Sequence, residues 1–203
     1  MKKSRILLLL TGALVVVFTW SAIHPADRFT WFLEVFPAVT GFILLAALYP
    51  RFKFTTLVYV LIALHMVVLM IGGKYTYAEV PPFNWLKEHF HLARNYYDRL
   101  GHLFQGFVPA LIAREVLLRK TKLESGGWLS VTVVSMAMAI SVCYEFFEWW
   151  VAVGTGTAAD AFLGTQGDVW DTQWDMFMAT CGAILALLLL SRLHDRLIAR
   201  MAD

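Results

Sequence analysis

Six stretches of this chain are apolar over the length that a lipid bilayer demands: residues 4–23, 31–49, 54–72, 99–118, 128–150 and 172–191. A hydrocarbon core of about 30 Å needs about 20 consecutive apolar residues in an α-helix. Within it every backbone N–H and C=O must find a partner inside the protein, which leaves helices as the solution for runs of this kind. Composition agrees. Hydrophobic residues make up 59% of the 203 and charged residues 16%, against about 45–50% and about 25% in soluble domains. The expected fold is therefore all-α: a polytopic transmembrane bundle of six spans, forming one integral membrane domain over residues 1–203. Spans four, five and six carry polar residues near one end and give the weaker hydropathy signal.

Lys2, Lys3 and Arg5 ahead of Ile6–Val17 have the form of a signal peptide. Trp20, Ile23 and His24 interrupt any small-residue cleavage site, so the segment reads as a retained first span. With the N-terminus in the cytoplasm, twelve of the seventeen bases fall on the inside: Lys2, Lys3, Arg5, Arg51, Lys53, Arg114, Arg119, Lys120, Lys122, Arg192, Arg196 and Arg200. Arg28, Lys74, Lys87, Arg94 and Arg99 fall outside. This positive-inside pattern predicts cytoplasmic termini at both ends. The long outer segment 73–97 is expected to hold a helix over 83–95 lying on the membrane surface, entered through Pro81-Pro82 and capped by Asn84. Trp85, Tyr96 and Tyr97 suit the membrane interface, as do Trp149 and Trp150.

Several functions are excluded. No basic run suggests a nucleic-acid partner, and membrane lipid is the partner the composition implies. No P-loop, serine elbow or dinucleotide fingerprint is present. Cys143 and Cys181 lie in apolar runs without metal-finger or redox spacing and read as small buried hydrophobes. Gly72-Gly73, Gly154, Gly156, Gly164 and Gly167 read as loop punctuation. His65, in the middle of the third span, reads as a satisfied core histidine.

The carboxylates are sorted more strongly than the bases require: eleven of fifteen fall on the outer side. Three groups each share a helical face. Asp98 and His102, with Gln105, open span four. Glu145 and Glu148 close span five. Asp168, Asp171 and Asp175 lead into span six. Glu34, near the outer start of span two, is a further candidate. Ionisable groups in spans are costly and usually face a bundle interior, where like charges cannot all ionise without a cation or shared protons. The chemistry this suggests is acid–base or nucleophilic work by His102, Asp98, Glu145, Glu148 and Asp171. A divalent metal is a possible cofactor, held by Asp168, Asp171, Asp175, Glu148 and His102, an oxygen-rich set with one imidazole that suits Mg, Mn, Fe or Zn. Lys74, Tyr77, Arg99 and Gln105 would bind substrate. The structural alternative is that Asp98 and Asp168 favour helix N-termini and that the two glutamates bond neighbouring helices. An outer-leaflet enzyme or binding protein, a transporter or proton-coupled channel using His65 and His102, and a non-catalytic scaffold all remain open at this point.

The segments Gly73-Lys74-Tyr75-Thr76-Tyr77 with Glu79, Pro81 and Trp85, Tyr97–His102, Tyr144–Trp149 and Gly164–Asp175 together resemble the YjdF family, small inner membrane proteins of unknown function. This resemblance covers nearly the whole chain and implies a cell inner membrane. A looser one is to VanZ-like proteins, through Asp98-Arg99 with His102, then Glu145 or Glu148, then Asp168, Asp171 and Gly182. The chain departs from that pattern where Asp175 replaces an asparagine and Glu148 a glutamine. What the looser resemblance implies is a shared helical core with a polar site at the outer leaflet, and not a role in glycopeptide resistance.

Overall fold

The computed structural model describes residues 3–201. Lys2 and Asp203, both part of the charge sorting, lie outside the described residues, as does the side chain of Asp160. The chain forms α1 (Lys3–Ala22), α2 (Arg28–Leu48), α3 (Thr56–Tyr75), α4 (Pro81–His89), α5 (Tyr97–Lys120), α6 (Gly127–Thr155), α7 (Asp160–Leu163) and α8 (Asp171–Ala199), with a 3₁₀ turn at Gly156–Ala159. No strand occurs among the described residues. Each of the six apolar runs is one long helix. Five of these, α1, α2, α3, α6 and α8, are long and apolar enough to cross a membrane. The 24-residue α5 is of similar length but carries charge near both ends.

Local chemistry sets the helix ends. Asp27 caps α2 by accepting from the Thr30 N–H at 2.7 Å, and Thr55 caps α3. Pro37 and Pro109 sit inside α2 and α5 without ending them, and each removes a hydrogen bond to the carbonyl four residues earlier. α4 is shorter than the expected 83–95. It starts at Pro81 because proline's fixed φ suits a first turn that needs no N–H partner. Asn84 therefore lies inside the helix rather than capping it, donating to Glu79 at 2.9 Å and accepting from Asn95 at 2.7 Å. The chain turns away after His89, with His91 in the left-handed region.

The tightest pairing is between α5 and α8. Gly106 faces the backbone of Ala179, and Gly182 faces the backbone of Leu103, so that a Cβ at either glycine would collide. Small residues at such crossings let helix backbones approach closely in a membrane. The approach sets the N-terminal turns of α5 and α8 side by side. Helix α3 packs on α1, α2 and α5, while α6 packs on α5 and α8. Gly72 and Gly73 lie in the last turns of α3 rather than in a loop. Gly72 and Gly101 leave room for the ring of Tyr77 between α3 and α5. Gly154 is likewise helical, whereas Gly156, Gly164 and Gly167 occupy positive-φ turn positions. The outward faces are apolar, with Leu8, Val16, Ile43, Val153 and Leu188 all exposed, as a lipid-covered perimeter requires.

Candidate functional site

The N-terminal turns of α5 and α8, with the short segment before α5, bring two arginines onto four aspartates. Arg94 pairs with Asp98 at 3.4 Å, with Asp168 at 3.6 Å and with Asp171. Arg99 pairs with Asp98 at 3.4 Å, Asp168 at 3.2 Å, Asp171 at 2.6 Å and Asp175. Both guanidiniums are buried, and the fork geometry of arginine lets one side chain serve several carboxylates. Asn95 holds this segment in place. Its side chain donates to the Val80 carbonyl at 3.1 Å and accepts from the Tyr97 N–H at 3.0 Å. Gln166 exchanges two hydrogen bonds with its backbone, both at 2.9 Å.

His102 sits one turn further along α5. Its Nε2 lies 3.4 Å from Asp98 and 3.6 Å from Asp175, and its Nδ1 lies 3.0 Å from Gln105 Oε1. Beyond it opens a cavity of about 160 Å³ between α2, α3, α5 and α6. Its polar wall is Glu34, His65, Tyr77, Asp98, His102, Gln105, Tyr144 and Glu148, and both helix-interior prolines, Pro37 and Pro109, line it too. Tyr144 donates to Glu34 at 3.4 Å. Burial pushes the Tyr77 phenol well above its ordinary pKa, so it stands as a protonated donor. Glu148 is only 9% exposed and has no hydrogen bond or ion pair among the described residues. His65 Nε2 is buried without a partner. The histidine expected to be satisfied in the core is instead an unsatisfied wall of the cavity.

The structure thus joins His102, Asp98, Gln105, Tyr77 and Glu148 around one space. Asp168 and Asp171 lie behind it, engaged by arginine, and Arg99 faces them rather than the cavity. Glu145 is buried, with Oε1 unpartnered, but does not line the cavity. Lys74 points elsewhere: its ammonium donates to the Trp20 and Ile23 carbonyls at 3.2 and 2.7 Å and lies over the Trp20 ring. The possible metal ligands contract to Asp98, His102 and Asp175, whose ligand atoms lie within 4.8 Å of one another. Arg99 already bonds both of those aspartates. Sequence spacing alone did not assign His65, Tyr144 or Arg94 to the site. Only the Tyr144-Glu145-Phe146-Phe147-Glu148 run, among the residues of the family resemblance, pointed towards Tyr144.

Comparison with known proteins agrees with this picture of a helical membrane protein. Residues 6–196 match the family described as "Predicted membrane protein (DUF2238)". The chain is 47% identical over 191 residues to the inner membrane protein YjdF of Escherichia coli (strain K12), covering 94% of this chain and 90% of that protein. No solved structure matches.

Proposed function

The chain belongs to the DUF2238 family of membrane proteins, and on that premise we propose that it is a six-span inner membrane protein with both termini in the cytoplasm and a ligand site facing the outer leaflet. The bases support the orientation, because an odd number of spans would scatter them over both sides. The length of α5 and its close packing on α8 support counting it as the sixth span. Reporter fusions after Arg200 and within residues 156–168 test this. Cytoplasmic signal is expected from the first and external signal from the second.

The site binds, and acts on, a lipid or lipid-linked head group. The observation that carries this reading is Glu148, a buried carboxylate without a partner on the wall of a cavity. Such a group is costly unless something else completes it. A space near 160 Å³ is on the order of the engineered cavity that admits benzene, so a small head group fits. Asp98 and His102 supply an acid–base pair for hydrolysis or transfer, with Gln105 orienting the imidazole. The test is native mass spectrometry of protein released from its own membranes. A retained small ligand or lipid is expected, and Leu69→Trp, which fills the cavity, is expected to lose it. A bare chain mass in every lipid environment would sink the reading.

The spacing of Asp98, His102 and Asp175 favours a second reading, a divalent metal held by these three. It predicts stoichiometric metal in the purified protein. Equal metal content in wild type and in His102→Ala with Asp175→Ala counts against it. Transport has less support. His65 and His102 belong to one cavity, and buried Val108, Ala110 and Leu111 separate it from the C-terminal end of α5.

A further inference from the structure

We infer that the cavity takes an organic cation, an ammonium group carried by a lipid head group or by a small free amine. This rests on the cavity being the ligand site. The first argument is charge. Glu34, Asp98 and Glu148 line the cavity, and among the described residues no lysine or arginine does. Asp98 is compensated by Arg94, Arg99 and His102. Glu34 is hydrogen-bonded only by phenols, Tyr144 at 3.4 Å and Tyr77 beside it, and Glu148 has no hydrogen bond, so two buried carboxyls face the space without an ion-pair partner among the described residues. A bound cation would pair with both in their ionised form, where an anion would be repelled by them.

The second argument is shape. Tyr77 and Tyr144 line the cavity, and aromatic side chains attract ammonium groups. A bare metal ion needs oxygens converging at short range. Among the described residues only Asp98, His102 and Asp175 converge so closely, and Glu34 and Glu148 are not in that group. Carboxylates spread around a larger space suit a larger cation.

The third argument is access. Ile140, 42% exposed midway along α6, also lines the cavity. Helix α2 packs on α3, α6 packs on α5 and α8, and α7 touches both α2 and α6. The hydrogen bond from Tyr144 to Glu34 bridges the α2–α6 side. An ammonium entering beside Ile140 and drawn to Glu34 would replace that bond.

Full-length protein in nanodiscs tests this. Thermal unfolding is followed while ethanolammonium chloride, ethylene glycol, sodium phosphate or magnesium chloride is added at matched ionic strength. Stabilisation by ethanolammonium alone is expected, weakened about tenfold in apparent affinity by Glu148→Gln or by Glu34→Gln. In a second arm, native mass spectrometry compares retention of phosphatidylethanolamine and phosphatidylglycerol. Retention of the amine lipid without a response to the free amine identifies a lipid source and supports the inference. Equal stabilisation by ethylene glycol or phosphate overturns the cationic preference while leaving a ligand site. Stabilisation by magnesium alone overturns it in favour of a metal. An ethanolammonium response unchanged in both glutamine variants overturns it as well. No response to any probe, with no retained lipid, ends both the inference and the site reading.

Discussion

At the C-terminal end of α5, Glu115 is wholly buried. It accepts from the Thr55 N–H at 2.9 Å, the Thr55 hydroxyl at 2.8 Å and Arg119 at 2.6 Å, and it lies 3.0 Å from His194 Nε2. Arg119 also reaches the Lys53 carbonyl at 2.8 Å, and Arg114 holds Asp195 at 2.7 Å. That one carboxylate ties the cap of α3 to α5 and α8, and both of its oxygens are used. The N-terminal end starts in a similar way, with Arg94 and Arg99 holding four aspartates. One turn further along α5, the matching stops. His102 faces a cavity where, among the described residues, Glu148 has no hydrogen bond or ion pair and His65 Nε2 is buried without a partner. Buried polar groups in folded proteins are almost always satisfied. At the C-terminal end His194 Nδ1 and Arg114 Nη1 are exceptions, but they belong to side chains bonded through their other nitrogens. Glu148, by contrast, has no bond at all among the described residues and borders a cavity, so the two ends answer different demands. One end closes the bundle, and the other keeps a space ready.

The comparison predicts where stability is lost. Glu115→Ala should have the largest effect, about 3–5 kcal/mol, because it strands Arg119 and His194 and frees the Thr55 backbone. Denaturation in mixed micelles measures this, and a loss below about 1 kcal/mol would break the comparison at its strongest point. Arg99→Met should come next, near the lower end of that range at about 3 kcal/mol, since Arg94 still holds Asp98, Asp168 and Asp171. Gly182→Ala should cost about 1–3 kcal/mol by pushing a methyl into the backbone of α5. It also sharpens the contrast. If the crossing of α5 and α8 sets the register of both ends, ligand binding at the far end should weaken along with stability.

The sequence carried the long helices because hydropathy is a local property, and each run needs only its own residues. It also carried the helical faces of the site, since i, i+3 and i, i+4 spacing places Asp98 beside His102 and Asp171 beside Asp175. What it lacked was the third dimension. Glu145 and Glu148 are three apart, yet only Glu148 reaches the cavity, because 60° of helical rotation separates wall from interior. Lys74 ends the same helix that carries His65, but its side chain turns to the link between α1 and α2. Glu115 counted as one more inner carboxylate, although its partner His194 lies 79 positions away. In the sequence Arg94 is one outer base among five, and Arg99 reads as a substrate binder. Their hold on Asp168 and Asp171, which removes those groups from the cavity, depends on packing that no spacing encodes.

The smallest expected effects test the contrast most sharply, because their sign matters more than their size. Glu148→Gln keeps shape and removes a buried carboxyl that has no partner among the described residues. His65→Leu removes a ring nitrogen buried without one. A residue that serves folding should cost stability when replaced, as Glu115 does. A residue held unsatisfied for a ligand should cost nothing, since its desolvation is a penalty that replacement relieves. Both variants are therefore expected to unfold within about 1 kcal/mol of wild type or above it, with Glu148→Gln impaired in ligand binding all the same. That combination also separates a binding site from a scaffold. In a scaffold, neutralising Glu148 would lower stability and leave no binding function to lose. A destabilisation of Glu148→Gln comparable to that of Glu115→Ala would mean that both ends of α5 are structural knots, and that the cavity is only a fault in the packing between them.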